Sequence, residues 1–332
     1  MDAFQVGRDF AGLTEDRPDL FDEMAAAVFS FQRTRNEVYR RYCDSLAGTG
    51  GEMPFLPAEA FKYGPVTCFA PEEAAHVFES SGTGRGVPAR HYVRDLGIYE
   101  RAVSTGFEHV FGAGPFVIAA HLPHYAERGK KSSLLYMAEH LVRHYGTHGL
   151  PESFFLDDPA PLYEAIDFST RVNSRLILFG AAFGLSDLVE RESIDLPEDS
   201  IVVETGGMKT LRREVARPEL HARLAAGFHL PREQVFSEYG MCELMSQCYT
   251  RGSCTYYPPP WMKFRIFDSD DPVREVEPGE PGALALFDLA NVYTVSAILT
   301  QDRAVRRESG FEVLGRLSTA ELRGCNFLLE HV

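Results

Sequence analysis

The stretch PFVIAAHLPHYAERGKKSSLLYMAEHLVRHYG, residues 115–146, decides how the rest of the chain is read. It opens with a short, nearly unbroken apolar run, PFVIAAHL, of the length and composition of a strand buried on both faces. From Lys131 to Gly146 the apolar positions recur at helical spacing instead. Strand and then helix in one unit is the repeat of an α/β protein, and it recurs on both sides. Helical patterns (LGIYERAVSTGFEHVF, residues 96–111) alternate with apolar runs (SRLILFG, 174–180; DSIVVETGG, 199–207). Such alternation predicts a doubly wound, largely parallel sheet with helices on both faces.

Upstream, Pro18 to Leu46 carries apolar residues at helical spacing, with Phe21, Met24, Val28, Phe31 and Val38 on the candidate buried face. A turn-rich link, AGTGGEMPFLP, follows. Beyond Pro258 the helical period is lost, and short strands separate turns such as DSDDP and EPGEPG. The expected organisation is a helical region over 1–60, an α/β core over 61–258, and a smaller β-rich subdomain with a short tail over 259–332.

The chain has 332 residues, 45% hydrophobic and 24% charged, enough for a large core. Its formal net charge of −15 argues against a duplex-binding surface. Met1 to Arg17 is mixed and acidic, unlike a signal peptide, and no apolar run is long enough to span a bilayer. Six cysteines without framework spacing read as reduced thiols, so the expected setting is cytoplasmic, without nucleic-acid partners or membrane insertion. Cys242, Cys248 and Cys254 recur every six residues, but no paired spacing or nearby histidine makes them a zinc site.

Candidate chemistry begins at SSGTGRGVP, residues 80–88, after the short strand-like run His76–Glu79. Glycines and hydroxyls here suit an anion. A Walker loop would need Gly-Lys-Ser/Thr where Val87-Pro88-Ala89 stands, and Val87 occupies the third glycine of a dinucleotide fingerprint. Read alone, the segment is a glycine-rich turn between a strand and a helix. It is followed, in order, by VVETGGMK (202–209), VFSEYGMCEL (235–244), LTQDR (299–303) and GFEVLGR (310–316).

That ordered set resembles the adenylate-forming superfamily of acyl- and aryl-activating ligases. SSGT…VPARH, LPHYAERGKKSSLLYM, TGGMKTLRREV, SEYGMCELMSQCY, PPWM and GRLSTAELRGC together look like the acyl-protein synthetases of bacterial luminescence systems, over roughly residues 60 to 326. The resemblance implies the fold of the superfamily's N-terminal domain. It also implies that the mobile C-terminal domain with its catalytic lysine is absent, since the chain ends at Val332 as those proteins do. The activity it implies is ATP- and Mg²⁺-dependent conversion of a fatty or other carboxylic acid to an acyl-adenylate. The acyl group would pass to a cysteine near the chain's own end, Cys325, and then to an acyl-accepting protein such as a reductase. A ligase loading coenzyme A or a carrier-protein thiol, and a non-catalytic ligand-binding relative, remain the competing readings.

The same resemblance assigns Ser80, Ser81, Gly82 and Thr83 to the triphosphate, where amides at the start of a helix would help. Gly84-Arg85 replaces the usual Thr-Gly; Arg85 either contacts phosphate or marks a damaged loop. Tyr239 and Gly240 would flank the adenine, with Gly206 and Gly207 along the base. Glu243 is the expected Mg²⁺ ligand, and Asp302, assisted by Arg316, the expected partner of the ribose hydroxyls. Lys209 is either a solvated lysine or the cation that stands in for the missing domain's lysine. His121 and His124 are expected to line the acyl pocket, with His91 in a similar role.

Overall fold

A computed structural model describes the chain except for residues 47–52, 81–86, 207–214, 270, 272–273 and 318–332. The chain begins with helices α1 (Ala3–Asp9), α2 (Pro18–Arg35) and α3 (Glu37–Ser45). Next come β1 (Leu56–Pro57), the single turn α4 (Ala60–Tyr63) and the antiparallel pair β2 (His76–Glu79) and β3 (Arg90–Val93). The α/β portion runs α5 (Leu96–Phe111), β4 (Val117–His121), α6 (Ser133–Tyr145), α7 (Ala160–Val172), β5 (Leu176–Ala181), α8 (Ala182–Arg191), β6 (Ile201–Thr205), α9 (Arg217–Gly227) and β7 (Val235–Tyr239). The remainder is β8 (Cys248–Thr250), β9 (Tyr256–Tyr257), β10 (Met262–Phe267), β11 (Pro281–Asp288), β12 (Ala297–Arg307) and β13 (Gly310–Arg316).

β4, β5, β6 and β7 pair in parallel, as their buried apolar sequences require. Successive side chains leave a strand on opposite faces, so each strand feeds two cores. Ile118 and Ala120 of β4, with Ile177, Phe179 and Val203, pack against α5, α6 and the N-terminal helices. Val117 and Ala119, with Leu176, Leu178 and Val202, pack against α7, α8 and α9. This is the doubly wound arrangement expected from the alternation. The β-rich portion is continuous with it: β8 adds antiparallel to β7, and the sheet runs on through β9, β13, β12 and β11 to β10.

Local chemistry sets the helix ends. Asp95 caps α5 by accepting from Gly97 N at 2.9 Å, and Ser132 caps α6 by accepting from Leu135 N at 3.3 Å. Pro18 opens α2, where a missing N–H costs nothing. The Pro18–Leu46 pattern divides at Asn36, whose extended backbone ends α2 while its side chain accepts from Tyr39 N and caps α3. Buried Gln32 and Asn36 tie α2 to the segment before β12: Gln32 Nε2 donates to the carbonyls of Asn291 and Val292, and Asn36 Nδ2 to that of Thr294.

One expectation changes. The 80–88 segment does not lead from a strand into a helix; it joins β2 to β3, with Ser80 N donating to Ala89 O at 2.9 Å. The helix starts at Leu96. Arg90–Val93 is only four residues long, too short for its aromatic and β-branched character to stand out against the loop before it.

Candidate active site

In open α/β sheets, ligands bind beyond the carboxyl ends of the parallel strands. Here those ends carry His121 on β4, Ala181 on β5, Thr205 on β6 and Tyr239 on β7. Tyr239, Asp302 and Arg316 come from three different strands and meet there. The Tyr239 hydroxyl donates to Asp302 Oδ2 at 2.8 Å, while Arg316 Nε lies 3.1 Å from Oδ1. Asp302 and Arg316 are direct partners across β12 and β13. Burial, reinforced by the Asp302 charge, pushes the Tyr239 phenol well above its ordinary range, so it remains a donor. Its ring meets Tyr256 and Phe311 edge-on, at centroid distances of 5.5 and 5.6 Å.

A Cβ at Gly240 would meet the Glu238 carboxylate, which accepts a hydrogen bond from Thr205 Oγ1 on the neighbouring strand and would have to shift to make room. Gly206 turns the chain out of β6 in the left-handed region, φ +65°, which glycine adopts without cost. The same strand carries, at Glu204, a charged cluster that motif reading did not disclose. Arg217 Nε is 3.3 Å from Glu204 Oε1, and His221 and Ser237 share the same carboxylate. Burial works to raise the Glu204 carboxyl, but the contacts from His221, Arg217 and Ser237 bring it below its usual range.

Glu243 is buried in the turn after Gly240, and that turn is held by a second set of residues, of which Asn291 and Asp288 lie outside the motifs. Asn291 Nδ2 donates to the Glu243 carbonyl at 2.7 Å and its Oδ1 accepts from Met245 N at 2.8 Å. Asp288 accepts from Ser246 N at 2.9 Å, Ser246 Oγ at 2.8 Å and Ala290 N at 2.9 Å. Trp261 Nε1 donates to the same Ser246 hydroxyl at 2.8 Å. Burial lifts the Asp288 carboxyl to about 6 despite these donors. His91 reaches the turn from β3, with Nδ1 2.8 Å from the Cys242 carbonyl and Nε2 3.2 Å from Thr294 Oγ1. Its burial lowers the imidazole to about 4, so it is neutral and engaged at both nitrogens.

The two histidines expected at the acyl pocket part company. His121 is buried, its Nε2 3.1 Å from the Leu156 carbonyl and its Nδ1 without a hydrogen-bond partner among the described residues. Gly184, in the first turn of α8, leaves room for that ring. His124 lies at the surface, 3.5 Å from Glu152 and against Phe154. Ser80 accepts from Ala89 N at 2.9 Å and closes the base of its loop. Ser81, Gly82, Thr83, Arg85, Gly207, Lys209 and Cys325 lie outside the described residues.

Among the described residues no group of three or more histidines, cysteines or acids could hold a metal by itself, and no helix is long and apolar enough to cross a membrane. A magnesium ion bound to a nucleotide keeps several waters and takes one or two carboxylates together with phosphate oxygens. A single carboxylate such as that of Glu243 fits this demand; a protein-only cage is not required.

The fold is that of the adenylate-forming ligases. It is similar to a 2-hydroxyisobutyryl-CoA ligase solved with 2-HIB-AMP and CoA, at TM-score 0.64 and 12% identity over 90% of this chain and 70% of that one. ATP-bound MatB from Rhodopseudomonas palustris matches at TM-score 0.53 and 16% identity, over 75% of this chain and 49% of that one. The amide bond synthetase McbA from Marinactinospora thermotolerans matches at TM-score 0.52 and 19% identity, over 75% and 50% respectively. The chain thus spans about half of two of these relatives. Residues 168–332 match the family model described as acyl-protein synthetase, LuxE. No curated protein sequence matches the chain.

Proposed function

We propose that the protein activates a carboxylic acid with ATP and passes the acyl group to a protein thiol. The carrying observation is the meeting of Tyr239, Asp302 and Arg316 at the carboxyl edge of the parallel strands, in a chain whose C-terminal half matches acyl-protein synthetases. In the first step a carboxylate oxygen attacks the α-phosphorus, the bond to the β-phosphate breaks, and pyrophosphate leaves. Asp302 would accept from the ribose hydroxyls, Gly206 and Gly240 would let the backbone approach the base, and Glu243 would hold Mg²⁺, which neutralises phosphate charge when bound.

In the second step a thiolate attacks the acyl carbon and AMP departs. The five described cysteines are poor candidates for that thiolate, because burial raises the pKa of each; Cys43 is lifted to about 11 and Cys68 to about 12. Cys325 fits the role by the family resemblance, the acid being a fatty acid and the final acceptor a partner protein such as a reductase.

ATP–pyrophosphate exchange across a panel of fatty and aromatic acids tests the first step, and its absence with every acid defeats the reading. Labelling with radioactive acid followed by hydroxylamine, which cleaves thioesters, tests the second. Cys325→Ser is expected to abolish the hydroxylamine-sensitive label and leave exchange within about twofold, since adenylation does not use the thiol. Label that survives moves the acyl group elsewhere. Label that appears only on added coenzyme A identifies a small-molecule acceptor.

A further inference from the structure

Two successive residues, Gly129 and Lys130, take left-handed backbone angles, φ 65° and φ 56°, after the 3-10 turn Tyr125–Arg128. Glycine does so freely. A lysine does not, and it lacks the short side chain with which asparagine bonds its own backbone in this region. Surrounding bonds hold Lys130 there. Tyr125 donates its hydroxyl to the Lys130 carbonyl at 2.6 Å, Lys130 N lies 3.3 Å from the Tyr125 carbonyl, and the same hydroxyl is 2.8 Å from His76 Nε2 on β2.

The turn is stitched to the end of β2. Glu79 N donates to the Lys131 carbonyl at 2.8 Å, one residue before Ser80. Three cations gather here, and Glu79 neutralises two of them: Lys131 Nζ lies 2.9 Å from Oε2 and Arg90 Nε 3.4 Å from Oε1. Lys130 is exposed and makes no ion pair among the described residues. An ammonium with no ion pair among the described residues, kept at a backbone position that favours glycine, next to the closed base of β2 and β3, is placed to meet an external anion.

We propose that Lys130 binds the terminal phosphates of the nucleotide, and of pyrophosphate in the reverse direction. This assignment rests on the adenylation reading above and adds a binding residue to it. The neighbouring Lys131 is held to Glu79, the last residue of β2, one position before the serine- and glycine-rich segment that the resemblance assigns to the triphosphate, and the Lys130 charge is not spent on any of the described residues.

Lys130→Gly separates charge from structure, because glycine suits the backbone angle that the turn already adopts. The variant is expected to be at least as thermally stable as the wild type. Its Kd for ATP, titrated by calorimetry without acid, should be about tenfold weaker, and its KM for pyrophosphate in the exchange assay should rise by a similar factor. Lys130→Arg, which keeps the charge, should restore both to within about threefold. A wild type with no exchange removes the adenylation reading and the lysine's role together. A wild type that exchanges, beside a Lys130→Gly variant of unchanged Kd and KM, overturns the lysine alone. A glycine variant less stable than the wild type overturns the account of the turn and the assignment built on it.

Discussion

Tyr239 and Asp302 share a hydrogen bond that can be removed without disturbing the fold. Tyr239→Phe deletes the 2.8 Å contact and leaves Asp302 paired with Arg316. Stability should fall by about 1 kcal/mol, the net worth of one such bond. If Asp302 binds ribose, its carboxylate is then held by Arg316 alone, and KM for ATP in pyrophosphate exchange should rise several-fold with kcat little changed. A loss of stability with unaltered KM would separate this pair from the nucleotide. These residues were legible because their order along the chain carries the information. Asp288 and Asn291 were not: each is a single polar letter in a β-rich stretch, and their partners lie more than forty positions away in the turn that carries Glu243. His121 and His124, three residues apart, looked equivalent until packing buried one and exposed the other.

The turn from Gly240 to Gln247 is the element on which the site depends, and buried polar groups fix its path together with the core packing of Cys242, Leu244 and Met245. Asn291→Ala removes the donor to the carbonyls of Glu243 and Val295 and the nearer of the two acceptors of Met245 N, the other being Asp288 Oδ2 at 3.2 Å. The stranded groups should cost on the order of 2–4 kcal/mol, seen as a shift in the urea midpoint. Glu243 should also become less well placed, so the Mg²⁺ concentration giving half-maximal exchange should rise, a readout that loss of stability alone leaves unmoved. Unchanged Mg²⁺ dependence in the folded variant would detach the turn from metal binding. Helix α5 spans the residues that its pattern marks, 96–111, because sixteen residues of helical period between Asp95 and Gly112 leave little ambiguity. β3 escaped notice because four residues carry no comparable signal.

Across the molecule, two buried groups act oppositely on stability as pH changes. His91 titrates near 4 in the fold against 6.5 when exposed, so its contribution is full above pH 6.5 and is lost as pH falls towards 4. Asp288 titrates near 6 against 3.8, so its contribution is full below pH 3.8 and is lost as pH rises through 6. Each difference is worth on the order of 3 kcal/mol, and the two partly cancel between pH 4 and 6. Asp288→Asn removes the contribution that favours acid. Its stability should therefore fall more steeply than that of the wild type between pH 7.5 and 5, measured by urea unfolding. His91→Gln should fall less steeply. Parallel profiles for all three proteins would show that neither group titrates as burial requires.

The sequence by itself determined the class of fold and the order of the motifs. Periodicity distinguishes buried strands such as Val117–His121 from amphipathic helices such as Ser133–Tyr145, and their alternation admits few topologies. The tertiary structure alone decided which polar side chains meet. Tyr239 reaches Asp302 across 63 positions, Gln32 reaches Ser296 across 264, and Glu79 holds Lys131 across 52. Hydrophobic period is a local property, fixed by the geometry of one element. A hydrogen bond or ion pair between distant residues depends on how whole elements register in the sheet, and no short stretch of sequence contains that.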